Sequence, residues 1–290
     1  KSRWGRRRQY VIIGGIIMGL AYIFMWQLYK IDGVEYNFWY FFFWSVVFYL
    51  GLTFFSVPYV AMGYEMSNDF HGFTVVITGA GSGIGLAVAK KLKAQGAEVF
   101  GLDLQAGELA SIGTWVQCDI GSDESVTQAF KEISSKVKKI DVLINNAGIG
   151  PDLDFELPEE ISFQKTFDVN VTGTTFFTEQ MLQYLNVGGK IINISSKMGS
   201  INVCEKNDSV AYRMSKAALN MYTKILSNRL EGKQLVASVH PGWVRTNIAK
   251  SNVNGRLTPE ESAQKIFQFI SRDFKTGTFW NVETEAECAW

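Results

Sequence analysis

The chain has 290 residues, with 28 basic and 28 acidic side chains and a formal net charge of zero at pH 7. This length accommodates one α/β domain of ordinary size together with an additional segment. The neutral balance argues against nucleic acid as a general partner, because binding to a phosphate backbone requires a basic surface. Charged residues are nearly absent between Tyr10 and Ala61, whereas the composition from Phe73 onward is that of a globular domain.

The N-terminal part contains two uncharged stretches that are rich in aromatic residues, residues 10–29 and residues 38–61. Each has the length of about 20 residues that a helix needs to cross the hydrocarbon core of a bilayer. They predict a transmembrane helical hairpin that contacts the membrane through residues 10–61. A pair of buried core helices is the alternative, but a soluble core of this size rarely supplies two such uncharged stretches.

The charges that flank these stretches predict the orientation of the hairpin. The basic residues that precede the first stretch are Lys1, Arg3, Arg6, Arg7 and Arg8. The connection to the second stretch carries Lys30 against Asp32 and Glu35. Because strongly basic flanks stay in the cytoplasm, we expect two crossings to return the chain to that side. The protein would then be bound to a membrane, with its globular part in the cytoplasm.

The segments SRWGRRRQY and SVPYVAMGYEMSNDFH resemble loops and adjoining helices of the glycoside-pentoside-hexuronide cation symporter family. The resemblance ends near His71 and Gly72, which predicts a transporter-like segment, residues 1–71, and a second domain, residues 72–290. Such transporters build their substrate site between repeats of several helices, so we expect no transport from two helices. A gene fusion and an assembly artefact would both produce this join; in the second case the protein is cytoplasmic.

The second domain opens with a β-branched segment, TVVIT, that runs directly into the glycine turn GAGSGIG. Such a segment predicts a strand buried on both faces of a parallel sheet. Glycines at these spacings allow a tight turn, close approach of the backbone to a pyrophosphate, and a helix whose N-terminus attracts phosphate. We expect that helix over residues 84–95. The predicted cofactor-binding residues of the turn are Gly79, Ser82, Gly83, Ile84 and Gly85.

The next predicted strand, AEVFGLD, ends at Asp103, about 20 residues after the glycine turn. A carboxylate at this place accepts hydrogen bonds from the adenosine ribose and repels a 2′-phosphate. Leu104 follows, and the turn contains no Lys or Arg. These features favour NAD over NADP, with NADP as the alternative.

Three further segments contain candidate site residues. Asn170 lies in TFDVNVTG, Ser196 lies in IINISSKMG, and Tyr212 and Lys216 lie in AYRMSKAALN. We expect a helix that begins at Tyr212, and residues four apart on a helix share one face. A nearby ammonium group would lower the pKa of the phenol. Such a tyrosine exchanges a proton with a carbonyl or alcohol oxygen.

A last predicted strand, QLVASVH, ends in a Pro241–Gly242 turn. In parallel α/β sheets the carboxyl ends of the strands face the ligand, so this turn exposes backbone groups to a cofactor. His240 is a candidate base, but we interpret it as a residue at the strand end because a tyrosine is already available.

In chain order, TGAGSGIG, CDI, NNAG and the Tyr212–Lys216 segment resemble the motifs of the short-chain dehydrogenase/reductase family, over residues 73–290. SSKMGSI, YRMSKAALNM, LTPEES and Trp290 resemble its branch of sniffer-type carbonyl reductases and C-factor proteins. The resemblance implies a Rossmann-type, doubly wound parallel sheet. It also implies hydride transfer between NAD(P)(H) and a small carbonyl compound or secondary alcohol.

The resemblance assigns the catalytic roles. Tyr212 would be the general acid/base, and Lys216 would also hold the nicotinamide ribose. Ser196 would bind the substrate oxygen, and Asn170 would position a water linked to Lys216. Ser195 competes with Ser196, but side chains alternate along a strand and the family motif favours the second serine.

The resemblance also extends the cofactor site. Asp119 would bind the adenine amino group, although a carboxylate that caps a turn or helix is the alternative at this position. Asn146 would hold the strand ends that flank the cofactor, and Val244 and Thr246 would contact the nicotinamide carboxamide and a phosphate. The remaining predicted cofactor-binding residues are Ala147, Gly148, Tyr212, Lys216, Pro241 and Gly242.

Three cysteines, Cys118, Cys204 and Cys288, are scattered without the spacing of metal ligands, so we expect reduced thiols and no metal. Two other functions are alternatives to catalysis: a silent Rossmann binding protein and a fragment of a sugar:cation symporter. A homo-oligomer is compatible with the sequence.

Overall fold

The computed structural model describes residues 8–25, 34–66 and 70–290. The chain divides into two compact units, Lys1–Asn68 and Asp69–Trp290. The predicted basic flank before Arg8 and the connection around Lys30 and Asp32 lie outside the described residues.

The first unit contains two helices, α1 (Arg8–Met25) and α2 (Val34–Met66). They pack closely at two glycines: a Cβ on Gly14 would lie 2.5 Å from the backbone nitrogen of Phe55, and one on Gly51 would lie 2.8 Å from that of Met18. Aromatic side chains elsewhere on α2 are exposed, among them Phe38, Trp39, Phe42, Phe43, Tyr49 and Phe54. The predicted pair of apolar helices is therefore present.

Within the described residues, one helix is long and apolar enough to cross a membrane, over Asn37–Phe55. The apolar part of α1, Ile12–Met25, is shorter, and the rest of the first predicted span, residues 26–29, lies outside the described residues. Crossing by both helices therefore stays a prediction.

The second unit is a single eight-stranded sheet with helices on both faces. Its strands are β1 (Thr74–Thr78), β2 (Glu98–Asp103), β3 (Thr114–Gln117), β4 (Ile140–Asn145), β5 (Leu185–Ile194), β6 (Leu235–His240), β7 (Thr278–Asn281) and β8 (Ala286–Glu287). The strand order is β3-β2-β1-β4-β5-β6-β7-β8. All neighbouring strands are parallel except β7 and β8. This is the predicted doubly wound sheet, and its order reverses between β1 and β4.

The helices of this unit are α3 (Gly83–Ala94), α4 (Asp123–Lys136), α5 (Glu160–Phe167), α6 (Thr174–Met181), α7 (Val210–Arg229) and α8 (Pro259–Ile270). The glycine-turn helix lies within one residue of its predicted bounds. The helix expected to begin at Tyr212 begins two residues earlier, at Val210, so that the predicted start was wrong. Boundary differences of this size are common, because helix ends carry weak sequence signals.

Alternating side chains of the strands bury two cores, one on each face of the sheet. Val75 and Ile77 of β1 pack with residues of α3 and α8, whereas Val76 packs with residues of α4, α6 and α7. Burial on both faces explains why the central strands read as continuous apolar runs.

A row of polar side chains crosses the second core. Asn145, Asn193 and Ser238 occupy neighbouring register positions on β4, β5 and β6. The Asn145 amide donates to Thr178 Oγ1 of α6 (2.8 Å), and the Asn193 amide donates to Thr223 Oγ1 of α7 (2.8 Å). Buried polar groups need such partners, so these bonds fix both helices against the sheet.

The second unit begins before the join predicted near His71 and Gly72. Phe70 is 5% exposed, its backbone N–H donates to the Gln95 carbonyl (2.9 Å), and its ring lies 5.4 Å from that of Phe267. Phe70 thus belongs to the core under α3 and α8. The division into domains at residue 72 stays a prediction, and these contacts favour a start of the second domain near Asp69.

Replacing Phe70 with Ala should lower the free energy of unfolding of the second unit by about 3–5 kcal/mol, because a buried aromatic side chain is removed and a cavity remains. Phe73 is the matched control, since its ring lies 5.1 Å from that of Phe70 but is 40% exposed. Chemical unfolding of the full chain in detergent measures both variants. Equal losses for Phe70→Ala and Phe73→Ala would contradict this account.

Candidate active site

A cavity of ≈ 270 Å³ lies at the carboxyl ends of β4, β5 and β6, beside the first turn of α3. The predicted site residues that line it are Ile84, Asn146, Gly148, Ser196, Tyr212, Lys216, Pro241, Gly242, Val244 and Thr246. The predicted residues outside this lining are Gly79, Ser82, Gly83, Gly85, Asp103, Asp119, Ala147 and Asn170. The structure thus brings three of the four predicted catalytic residues, Ser196, Tyr212 and Lys216, together at one cavity.

The glycine turn leaves no room for a side chain at Gly79 or Gly85. A Cβ on Gly85 would lie 2.1 Å from the Gly79 carbonyl oxygen, and Gly79 itself has a φ of +64°. The N-cap residue of α3, Ser82, makes no side-chain capping bond. The first N–H groups of α3 therefore remain open to an anion, which fits the pyrophosphate of a dinucleotide.

Asn146 holds the turn to the end of β4. Its side-chain amide donates to the carbonyl oxygens of Thr78 (3.0 Å) and Gly79 (2.9 Å). In return, Thr78 Oγ1 accepts the backbone N–H groups of Asn146 and Ala147, each at 3.0 Å. These four bonds join the strand ends on either side of the reversal in strand order, which is the position expected for Asn146.

Two carboxylates flank this turn region. Asp103 Oδ2 accepts the backbone N–H of Gly81 at 2.8 Å, so the carboxylate is held beside the glycine turn. Asp119 is exposed, and its Oδ1 accepts the N–H of Gly121 at 2.9 Å. Asp119 therefore makes the turn contact that we weighed as the alternative, and its adenine contact stays a prediction.

Asn170 lies in a π-helical segment, Asp168–Gly173, that the sequence did not predict. Its side chain is buried, donates to the Ile149 carbonyl (2.8 Å) and to Ser215 Oγ (3.0 Å), and accepts the Ile149 N–H (2.9 Å). Single π-helical turns are frequent at functional sites. Here the turn places the Asn170 side chain in contact with the segment after β4 and with α7.

The end of β5 is attached to α7 at three successive residues. Asn193 bonds to Thr223 as described above, the Ile194 carbonyl accepts from Lys216 Nζ (2.9 Å), and Ser195 Oγ donates to Asn220 Oδ1 (2.7 Å). Ser195 is thus used in packing. The next side chain, Ser196, accepts the Met198 N–H (3.1 Å) and lines the cavity together with Tyr212, which favours Ser196 over Ser195 as the substrate-binding serine.

Burial controls the ionisation of Tyr212 and Lys216. It raises the pKa of Tyr212 to about 12, with a contribution from the charge of Asp152, while the bond to Ser196 acts in the opposite direction. Burial also lowers the pKa of Lys216 to about 8. The pKa of the phenol is therefore raised, and not lowered as the spacing of Tyr212 and Lys216 predicted, because the cost of burying a charge is larger.

His240 lines the same cavity, and burial together with the charge of Lys197 lowers its pKa to about 3. It is therefore neutral at ordinary pH, and we interpret it as a residue at the end of β6 and not as the acid/base group. The sequence missed Asn252, whose amide donates to the Val244 carbonyl and to Thr246 Oγ1, each at 3.2 Å. No motif marks Asn252, because its loop reaches the site only through the tertiary fold.

A parallel sheet with a glycine turn at its reversal point, and with a serine, a tyrosine and a lysine at one cavity, defines a Rossmann-type dinucleotide-dependent oxidoreductase. Comparison with known proteins agrees. The family model described as short chain dehydrogenase matches residues 73–256. The chain belongs to the short-chain dehydrogenase/reductase family and is an NAD(P)-dependent enzyme.

Two named relatives are each similar to 63% of the chain. The chain is 33% identical over 199 residues to the 3-oxoacyl-[acyl-carrier-protein] reductase FabG of Aquifex aeolicus, covering 63% of this chain and 78% of the relative. It is 31% identical over 200 residues to farnesol dehydrogenase of Aedes aegypti, covering 63% and 81%.

Solved structures give the same result. The carbonyl reductase Sniffer of D. melanogaster superposes with a TM-score of 0.67 at 28% identity, covering 76% of this chain and 100% of that one. An NADPH-bound carbonyl reductase from chicken fatty liver superposes with a TM-score of 0.70 at 26% identity, covering 78% and 97%. The model described as MFS/sugar transport protein matches residues 1–88, which supports the resemblance of the N-terminal segment to a symporter.

Proposed function

We propose that this enzyme reduces carbonyl compounds to alcohols, and catalyses the reverse oxidation, with NAD(H) as its preferred cofactor. The observation that carries the proposal is the meeting of Ser196, Tyr212 and Lys216 at one cavity beside the glycine turn. A catalytically silent binding protein would not require this combination of groups.

In the reduction, a bound nicotinamide supplies the hydride that forms the new C–H bond. The Ser196 hydroxyl binds the carbonyl oxygen, and the Tyr212 O–H bond breaks as its proton passes to that oxygen. The phenolate then regains a proton from the Lys216 ammonium group, whose pKa of about 8 allows its release, and Lys216 takes up a replacement proton from solvent. The product is the alcohol, and the oxidation follows the same steps in reverse.

The walls of the cavity favour an apolar substrate. Leu153, Met198 and Trp243 line it near Ser196 and Tyr212, and an apolar wall selects substrates by the area that they bury. Farnesol dehydrogenase, named above, acts on an apolar alcohol according to its name. We therefore place apolar aldehydes and ketones, and the alcohols that correspond to them, first among the substrates.

Tyr212→Phe should lower kcat for reduction of an apolar aldehyde by about 10²–10⁴-fold, because the acid/base group is lost. The dissociation constant of NADH, measured by nicotinamide fluorescence, should change little. Tyr222→Phe is the matched control on the same helix, since the Tyr222 hydroxyl donates to Glu179 (2.8 Å), and it should keep its turnover. Full turnover in Tyr212→Phe would refute the proposed chemistry.

The preference for NAD is proposed on the position of Asp103 beside the glycine turn. A carboxylate there repels the 2′-phosphate of NADP through unfavourable Coulomb interaction. The structural relatives include both an NADPH-bound and an NADH-complexed enzyme, so the family as a whole allows either cofactor.

Asp103→Asn should raise the affinity for NADPH relative to NADH by at least about tenfold, because the amide loses the charge and keeps an acceptor for the Gly81 N–H. Fluorescence titrations with the two cofactors measure the ratio. Asp119→Asn is the control, and it should leave the ratio unchanged because it would affect both cofactors alike. A wild-type protein that binds NADPH more tightly than NADH would contradict the assignment.

We also propose that the first unit attaches the enzyme to a membrane, with the catalytic unit on the cytoplasmic side. The apolar length of α2, the exposed aromatic side chains and the match to a transporter model support this placement. The cavity that holds Ser196, Tyr212 and Lys216 is built entirely from the second unit, so the role that we propose for the first unit is that of an anchor.

The full chain should sediment with phospholipid vesicles and stay bound after washing with high salt and alkaline carbonate. A chain that lacks residues 1–68 should remain in the supernatant with the same kcat. Release of the full chain by salt alone would contradict insertion, since apolar contacts with lipid do not weaken in salt. Solute uptake into the vesicles would contradict the role as an anchor.

A further inference from the structure

The helix that carries Tyr212 is not capped by its own N-cap side chain. The N-cap residue of α7, Ser209, has a left-handed backbone with a φ of 56° and makes no side-chain capping bond. Its hydroxyl donates instead to Asp208 Oδ1 at 3.0 Å. Because the first N–H groups of a helix have no partner within the helix, those of α7 require an acceptor from another element.

Asp152, in the loop after β4, supplies that acceptor. Its Oδ2 accepts the backbone N–H of Ala211 at 2.7 Å and that of Tyr212 at 3.2 Å. The residue is 4% exposed. A carboxylate at this place is stabilised by two charge-assisted hydrogen bonds and by the positive end of the helix dipole.

Other contacts hold the same loop against the start of α7. The Ser209 N–H donates to the Phe155 carbonyl (2.8 Å), and the Asp154 N–H donates to Ser209 Oγ (3.2 Å). A Cβ on Gly150 would lie 2.9 Å from the Tyr212 ring. The loop therefore passes directly beside the phenol, so its position and that of Tyr212 depend on each other.

The charge of Asp152 is not cancelled by a nearby cation. Among the described residues, no ion pair includes it, and its Oδ1 has no hydrogen-bond partner. The other charged or titratable groups that line the cavity are Lys216 of α7, Lys197 after β5, the neutral His240 of β6, and Arg256 and Glu283, which form an ion pair at 3.1 Å. Lys216 Nζ lies 5.6 Å from the Tyr212 ring.

We propose that Asp152 is a positioning residue for the reaction: its carboxylate holds the first turn of α7, and with it Tyr212, and places a negative charge beside the phenol. This inference rests on the proposed role of Tyr212. The charge opposes formation of phenolate and raises the pKa of Tyr212. Asp152 thereby keeps Tyr212 in the form that donates a proton to a carbonyl oxygen.

Three variants separate the charge from the hydrogen bonds. Asp152→Asn removes the charge and keeps an acceptor oxygen, whereas Asp152→Ala removes both. Asp154→Asn is the matched control, because it removes a charge from the same loop at an exposed side chain whose Oδ1 accepts from Ser251 (2.9 Å). All variants are compared as full chains in detergent, with circular dichroism and NADH binding as checks of folding.

The first measurement needs no substrate. With ¹³C-labelled tyrosine, the ring resonance of Tyr212 is identified by its loss in Tyr212→Phe and is followed against pH. The phenol should titrate at lower pH in Asp152→Asn than in the wild type, because a negative charge that raised its pKa is gone. Asp154→Asn should titrate as the wild type. An unchanged titration in Asp152→Asn would overturn the electrostatic role.

The second measurement is kcat for reduction of an apolar aldehyde as a function of pH. In Asp152→Asn the decline of kcat at alkaline pH should begin at a lower pH than in the wild type. At pH values below this decline, kcat should lie within about threefold of the wild-type value. Asp152→Ala should lose at least about tenfold in kcat, because small displacements of reacting groups are costly. Wild-type values of kcat and KM in Asp152→Ala would overturn the positioning role. If Asp152→Ala does not fold, the pH profile of kcat in Asp152→Asn is the test of the proposal.

The two proposals fail in different ways. Full turnover in Tyr212→Phe would refute the proposed chemistry and leave the ¹³C titration as a valid test of the charge effect. If Tyr212→Phe is inactive and the titration of the phenol in Asp152→Asn is unshifted, the proposed chemistry stands. In that case the proposed role of Asp152 fails.

Discussion

The structure of the catalytic unit depends on the exchange of hydrogen bonds between Thr78 and the segment that begins at Asn146. Strands β1 and β4 are adjacent and parallel, and their ladder ends at Ile77 and Ile144. Beyond that point the chain leaves them toward opposite faces of the sheet, so a further cross-link is needed to hold the two departing segments together. The Asn146 amide and the Thr78 hydroxyl provide it. The cleft that remains is bounded on one side by the glycine turn and on the other by the turn after β6, at Pro241 and Gly242.

Much of this arrangement follows from local sequence, and the exceptions have a common cause. The β-branched segment of β1 and the spacing of Tyr212 and Lys216 express local geometry, and the structure has a strand and a helix there. The π-helical turn at Asn170 and the cap at Asp152 depend on contacts between residues that are distant in sequence. The pKa of Tyr212 depends on burial, which an i,i+4 spacing does not report.

The two units have different physical requirements. The second unit buries apolar side chains on both faces of its sheet and begins with Phe70 in its core. The first unit brings two helices together at Gly14 and Gly51 and leaves large aromatic side chains exposed. Exposed apolar area of this extent is unusual on a protein in water. A few residues around position 69 therefore separate a segment suited to lipid from a domain that completes its own core.

The attachment of β5 to α7 at Asn193, Ile194 and Ser195 has a consequence for how such an enzyme changes its substrate. A slip of one residue between these elements would turn each of these polar groups away from its partner, so the attachment fixes Ser196 and Tyr212 independently of the segment that joins them. Residues 201–209 form that connection and contain no helix or strand. New lengths and sequences there would alter the shape of the substrate entrance while the reacting atoms keep their separation, which allows evolution or design to change specificity without rebuilding the chemistry.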